Sequence, residues 1–254
     1  MDILTATAAE RPDLAARLND FNSWPTFMRQ DPVGSVYYAD PVAAYPEYIV
    51  VAVDRDRPDE LVAKGYSVPF TWNQDPAESL PEGGWDDVIV WSALDRFAGR
   101  RGNLVSALEI SIRPDLRGRG LADVMLRAMR DNARKLGFPS LVAPVRPNQK
   151  HLRPDLSMRE YAALLRDDGL PVDAWLRVHV RAGGAIVGVA ARAMTMAGTL
   201  AEWREWTGLP FDATGPVTIP EALIPVYCDV AQDYAVYCEP CVWVHHALAP
   251  QLGR

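Results

Sequence analysis

"LVSALEISIRPDLRGRGLADVMLRAMRDNARKLGFPSLVAPV" (residues 104–145) reads as a strand, a glycine-rich turn, a long helix and a second strand. The runs "LVSALEISI" (104–112) and "SLVAPV" (140–145) are short and apolar and are bounded by turn residues, as buried strands are. Between them Leu121, Met125, Met129 and Leu136 recur near the helical period, with Ala122, Ala128 and Ala133 beside them. Asp123, Arg127, Arg130 and Arg134 take much of the other side, so the pattern predicts an amphipathic helix packed on a sheet. Arg117 and Arg119 sit where that helix should begin, although a helix N-terminus already carries partial positive charge and unpaired N–H groups. Gly118 and Gly120 strip side chains from the same turn, which lets amides converge on a ligand. Converging amides, a helix dipole and two guanidinium groups make an anion site suited to a pyrophosphate. The plainer alternative is a helix cap whose arginines reach into solvent.

Upstream, "ILTATA" (3–8) predicts a strand and "ERPDLAARLNDF" (10–21) a helix with proline near its start. "NSWPTFMRQDPVGSVYYADPVAAYPEY" (22–48) is a long irregular segment dense in aromatics and prolines. "YIVVAVD" (48–54) and "ELVAKGYSVPFTW" (60–72) form a hairpin across "RDRPD", and 79–103 is a turn-rich insertion with a short helix. Downstream, 155–169 is helical, with Ser157 and Glu160 at capping-box spacing, and 173–184 is a second helix ended by glycines. Residues 185–198, 226–232 and 241–248 read as late strands. No repeat or clean linker interrupts the chain, which predicts one domain over 1–254, with the strand–turn–helix–strand region at 104–148 and an extension with closing strands at 149–254.

Composition bounds the function. With 254 residues, a net charge of −7 and ordinary apolar content, the chain can bury a sizeable core and is not expected to bind nucleic acid, which normally needs a basic face. No stretch approaches the roughly 20 apolar residues of a membrane span, and the N-terminus lacks the pattern of a secretory signal. Three cysteines without framework spacing fit a reducing compartment, so a soluble cytoplasmic protein is expected, with a homodimer left open.

The stretch "IRPDLRGRGLADVML" resembles the acetyl-CoA signature of the GNAT superfamily of acyl-CoA-dependent N-acyltransferases, whose pattern Arg117, Gly120 and Ala122 fill. The order of strands and helices resembles that family more loosely over the whole chain. The resemblance implies an α/β (α+β) fold: a mixed, mostly antiparallel central sheet flanked by helices, with an extended C-terminal half. The sheet would splay between the signature strand and the next one, admitting a pantetheine arm. It also implies acetyl-CoA or another acyl-CoA as co-substrate and a small-molecule amine as acceptor. The amides of Arg117, Gly118, Arg119, Gly120, Leu121 and Ala122 would then cradle the pyrophosphate. The backbone of Ile110, Ser111 and Ile112 would pair with the pantetheine, and Asn148 would contact the same arm.

For the chemistry, the family places a base on or near the signature strand, and Glu109 is the candidate, facing away from Leu108 and Ile110 by strict alternation. The family's acid is a tyrosine four residues before the glycine that closes the helix after the next strand. Counting back from Gly183 gives His179 instead, which can donate or accept a proton near neutral pH. Tyr161 is a second choice. The aromatic segment would wall the acceptor pocket, with Trp24, Phe27, Tyr37 and Tyr38 as candidates and Trp203 and Trp206 covering the same cleft. Each of these residues also has a plainer structural reading: an ion-paired carboxylate, a satisfied histidine, or a packed loop.

"CEPCVWVHH" (238–246) superficially resembles a zinc site, but strand alternation turns His245 and His246 to opposite faces, so no metal is expected. A CoA-binding module without catalysis, and an O-acyltransferase or decarboxylase on the same fold, are the competing functions.

Overall fold

The computed structural model describes residues 1–22 and 24–248; Ser23 and residues 249–254, the end of the expected domain, lie outside the described residues. The chain opens with strand β1 (Ile3–Thr7) and a single helical turn, α1 (Pro12–Ala15), shorter than the helix expected over 10–21. The segment expected to be irregular is instead a string of short helical pieces. Two are 3-10 turns, at Thr26–Gln30 and Pro46–Tyr48, and two are helices, α2 (Pro32–Tyr37) and α3 (Pro41–Ala44). The sequence explains them. Asp31 and Asp40 cap α2 and α3 with their carboxylates, and the proline after each takes a first-turn position where no N–H is needed.

Strands β2 (Val50–Asp54) and β3 (Arg57–Phe70) form the expected hairpin. Helix α4 (Gly84–Phe97) follows, fourteen residues long, where a short helix in a turn-rich insertion was expected. Strand β4 (Leu104–Ile112), helix α5 (Leu121–Lys135) and strand β5 (Ser140–Val145) then make a parallel crossover. Helix α5 buries Leu121, Met125, Leu126, Met129 and Ala133 against the sheet. It lies so close to β3 that a Cβ at Gly65 would come within 2.6 Å of the Met129 sulfur.

The rest of the chain holds α6 (Met158–Ala162), α7 (Ala174–Arg181), β6 (Ala185–Gly198), α8 (Leu200–Thr207), β7 (Gly215–Val217), β8 (Val226–Asp229) and β9 (Tyr234–Ala247). The Ser157–Glu160 capping box starts α6 as expected, but the helix is one turn and a half. The sheet runs β1-β2-β3-β4-β5-β9-β8-β7, with β6 on β9 as well, and every pairing except β4–β5 is antiparallel. This is the mixed, mostly antiparallel sheet with flanking helices.

Two departures from regularity shape the site. First, β4 and β5 pair at Val105–Leu141 and Ser106–Val142, whereas β5 gives its whole length to β9 on its other edge. From Ala107 to Ile112 the edge of β4 towards β5 has no strand partner among the described residues. Second, Tyr66 faces Glu109 while Ser67 faces Ala107, so Leu108 is an extra residue, a β-bulge. Strict alternation therefore fails there, and Ala107, Leu108, Glu109 and Ile110 all reach the same cleft.

Candidate active site

The turn before α5 has the predicted character. Gly118 and Gly120 adopt φ of +78° and +79°, the left-handed region that side chains disfavour. Gly120 is the N-cap of α5 and supplies no side-chain acceptor. The backbone N–H groups from Gly118 through Ala122 have no acceptor among the described residues, and Arg117 and Arg119 are exposed and without an ion pair there. Five open amides and two uncommitted guanidinium groups at a helix N-terminus suit a phosphate-bearing ligand.

Beside this turn the splay of β4 from β5 opens a first cleft. Ala107 to Ile110 form one wall and Ala143 to Arg146 the other, with Asn148, Trp175, His179 and Cys241 around them. A second cleft lies on the far side of Trp24 and Trp85, lined by Asp31, Tyr38, Lys64 and Tyr66. Their free volumes, open mouths included, are about 980 and 930 Å³, of small-molecule size. Trp24, Trp85, Glu109 and Met194 line both. Glu109 thus stands at the junction. Its Oε2 accepts from the Trp24 indole N–H at 2.7 Å, and its other oxygen accepts from the Ser111 hydroxyl.

The second cleft holds charges of both signs. The Lys64 ammonium donates to the carbonyls of Leu18 and Phe21 and lies over the Phe21 and Tyr66 rings, and burial pushes its pKa down. Asp31 is 3 % exposed and accepts from Val33 and Gly34 N–H; burial raises its pKa despite them. Behind it, burial and then the Asp31 charge push Asp86 up to about 8. Asp86 Oδ2 accepts from Thr195 N–H, while Oδ1 is buried without a partner among the described residues. The unfolded carboxyl, near 3.8, ionises well below the folded one, so its contribution to stability is lost as pH rises from about 4 through 8. Asp86→Asn should therefore melt increasingly above the parent between pH 5 and pH 8.5; parallel melting curves across that range would refute the assignment.

The two candidate acids separate. His179, 2 % exposed on α7, lines the first cleft and places Nδ1 3.0 Å from His246 Nε2. Burial, then His246 and Arg130, push its pKa down to about 3, so the neutral ring can donate or accept a hydrogen bond at physiological pH without an imidazolium form. Tyr161 lines neither cleft. Its hydroxyl donates to Asp173, the N-cap of α7, and burial pushes its pKa up. The residues inserted between β5 and α6 carry it away from the first cleft, and it buttresses the helix that holds His179.

Of the expected acceptor residues, Trp24 and Tyr38 face the second cleft, Tyr38 with a buried hydroxyl that has no partner among the described residues. Phe27 does not reach the cleft: it is 3 % exposed and packs on Trp203 and Tyr237 in a second core. Tyr37 points to solvent from α2, and Trp203 is buried in that second core with its N–H on the Ala235 carbonyl. The aromatic wall is Trp24, Trp85, Tyr38 and Tyr66, in edge or tilted contact at 6.2–6.4 Å. Tyr66, Trp85, Lys64 and Asp31 were not anticipated.

Among the described residues no helix is long and apolar enough to cross a membrane, and no group of three or more His, Cys, Asp or Glu side chains is placed to hold a metal ion. No protein-family model matches the chain. The chain is 32% identical to the arginine N-acetyltransferase avaD of Aspergillus versicolor, over 95% of this chain and 93% of that one. Among solved structures, it resembles the loading GNATL domain of CurA from Lyngbya majuscula (15% identity, TM-score 0.55, 97% of both chains). It is equally similar to the GphF GNAT-like decarboxylase in complex with isobutyryl-CoA (18% identity, TM-score 0.55, 98% of this chain and 100% of that one). At such identities these structures speak to the fold alone.

Proposed function

This chain belongs to the GNAT superfamily of acyl-CoA-dependent N-acyltransferases, and we propose that it uses acetyl-CoA to acetylate the amine of arginine or a similar cationic amino acid. It is an enzyme that transfers an acyl group from acyl-CoA to a small-molecule amine. The observation that carries the finer reading is Glu109 at the junction of two clefts, one suited to a thioester arm and one to a charged acceptor.

The residues present fit acyl-CoA. The open amides from Gly118 to Ala122, with Arg117 and Arg119, suit its pyrophosphate, and the unpaired β4 edge through Ile110, Ser111 and Ile112 suits the amides of its pantetheine arm. Asn148 borders the same cleft. When bound, acyl-CoA supplies an activated carbonyl. Glu109 takes a proton from the acceptor's ammonium, freeing the lone pair that forms the C–N bond as the C–S bond breaks. A β4 backbone N–H polarises the carbonyl, and His179 offers a hydrogen bond to the sulfur as it gains charge. The second amine proton leaves with the thiol, so charge and atoms balance.

Support for an arginine-like acceptor comes from the relative's activity and from the second cleft. Glu109 and Asp31 answer a cationic group, and Lys64, with two of its three N–H groups committed, retains one for a carboxylate. Turnover of arginine, citrulline and agmatine tests this. Arginine should lead, with citrulline and agmatine each lower by about tenfold or more as a charged contact is lost. Turnover of citrulline or agmatine equal to or above that of arginine would overturn it.

The donor site has its own test. Arg117→Ala with Arg119→Ala should weaken acetyl-CoA binding by roughly 10²-fold in calorimetry, the worth of two charge-assisted contacts at exposed positions. The melting temperature should barely move, because neither side chain forms an ion pair among the described residues and Arg119 only weakly attracts the exposed Asp115. Unchanged affinity would sink the pyrophosphate assignment.

A further inference from the structure

His179 and His246 form a buried imidazole pair whose second member has no place in the mechanism above. His246, on β9, is wholly buried and faces α7, while its neighbour His245 turns the other way and meets Ser140 Oγ at 2.9 Å. The Nδ1–Nε2 separation of 3.0 Å is a hydrogen bond, and a bond between two neutral rings holds one proton. Burial and the nearby Arg130 charge keep both rings neutral, His246 with a pKa pushed down to about 4.

Two arrangements are possible, and they differ at the far nitrogens. If His179 donated, His246 would carry its own proton on Nδ1, an atom that is buried and has no partner among the described residues. That N–H would also face the field of Arg130, whose Nε–H is itself buried and unpartnered. If His246 donates instead, its Nδ1 presents a lone pair there, which the guanidinium charge favours. An orphaned donor in low dielectric beside a cation is the costlier choice. The second arrangement leaves the remaining proton of His179 on Nε2. That nitrogen has no hydrogen-bond partner among the described residues, and the ring lines the thioester cleft.

We infer that His246 is a positioning residue: it donates its Nε2–H to His179 Nδ1 and so fixes His179 in the tautomer that presents Nε2–H to the thioester cleft. His179 then acts as a neutral hydrogen-bond donor to the sulfur, its proton staying on the ring, and needs no imidazolium form. The inference rests on the reading of the first cleft as the thioester site.

Nitrogen-resolved imidazole NMR of the full ¹⁵N-histidine-labelled chain tests the tautomer without any turnover, His179→Gln supplying the assignment. The expected state is protonated Nε2 and bare Nδ1 on His179; the reverse tautomer, or an imidazolium at pH 7, overturns the inference. Steady-state kinetics supply the second arm. His246→Leu should lower kcat by about 10²-fold with little change in KM for acetyl-CoA, because a donor that acts in the transition state is no longer aimed. His246→Gln, whose side-chain amide can donate to Nδ1, should recover most of that loss. Full activity in His246→Leu overturns the inference, and if that variant does not fold, the tautomer of the parent protein decides. Failure of the parent to bind acetyl-CoA would instead defeat the thioester reading, so the two failures are told apart.

Discussion

Glu109→Gln is expected to lower kcat at pH 7.5 by about 10²–10⁴-fold, the range assigned to a positioned general base, while acetyl-CoA affinity stays within about twofold. The substitution is close to isosteric. The glutamine carbonyl can keep the Trp24 indole N–H, and its amide can donate to the Ser111 hydroxyl, which accepts as readily as it donates. The local fold and both cleft walls should therefore persist, and what disappears is a basic oxygen. The loss should shrink as pH rises towards the pKa of the acceptor amine, because solvent then delivers the free amine that Glu109 otherwise produces. A variant with parental kcat at pH 7.5 would show that the acceptor loses its proton elsewhere. A variant equally impaired at every pH would show that Glu109 positions the acceptor and does not deprotonate it.

The strand, turn and helix beside the first cleft were legible because they are contiguous. Strands at 104–112 and 140–145 and the helix between them fall at the expected residues, since apolar runs, a glycine turn and a helical period lie side by side in one stretch. Strand β6 was equally readable, as was the opposite facing of His245 and His246. The wall of the second cleft was not. Asp31, Lys64, Tyr66 and Trp85 come from a capped loop, a strand and the head of a helix, and no local period announces that they meet. Trp85 was hidden because two glycines made the start of α4 read as turn, although Asp86 and Asp87 are good first-turn residues. The Asp31–Pro32 and Asp40–Pro41 pairs carry a usable helix-start signal inside the aromatic segment. The bulge at Leu108 illustrates the deeper limit. Strict alternation placed Glu109 opposite its neighbours, whereas the extra residue brings it into their cleft, and only the register with β3 reveals that.

The largest expected effect on stability lies on the floor of the first cleft, where Arg146 Nε donates to Glu239 Oε1 at 2.7 Å. Glu239 is fully buried, its other oxygen accepts from Tyr237 O–H, and the Tyr237 hydroxyl in turn accepts from Leu223 N–H. Burial pushes the Glu239 pKa up, and Arg146 and Tyr237 oppose that shift. Arg146→Met should lower unfolding free energy at pH 7.5 by about 3–5 kcal/mol, the usual result of leaving one partner of a buried pair alone. For a chain of this size that corresponds to roughly 6–20 °C in melting temperature. The pH dependence carries the mechanism. Without its cation, the folded carboxyl must hold a proton that the unfolded carboxylate, near 4.5, releases, so the deficit grows as pH rises. It should therefore narrow at pH 5 and reach its minimum below the unfolded value, where both states are protonated and only the pH-independent loss of the Arg146–Glu221 carbonyl bond remains. Adding Glu239→Gln to Arg146→Met removes the charge yet keeps an acceptor for Tyr237, and should restore most of the stability and flatten its pH dependence. An Arg146→Met protein within about 1 kcal/mol of the parent at pH 7.5 would mean that solvent at the cleft already satisfies Glu239, and that this pair serves the cleft's electrostatics without holding the C-terminal half together.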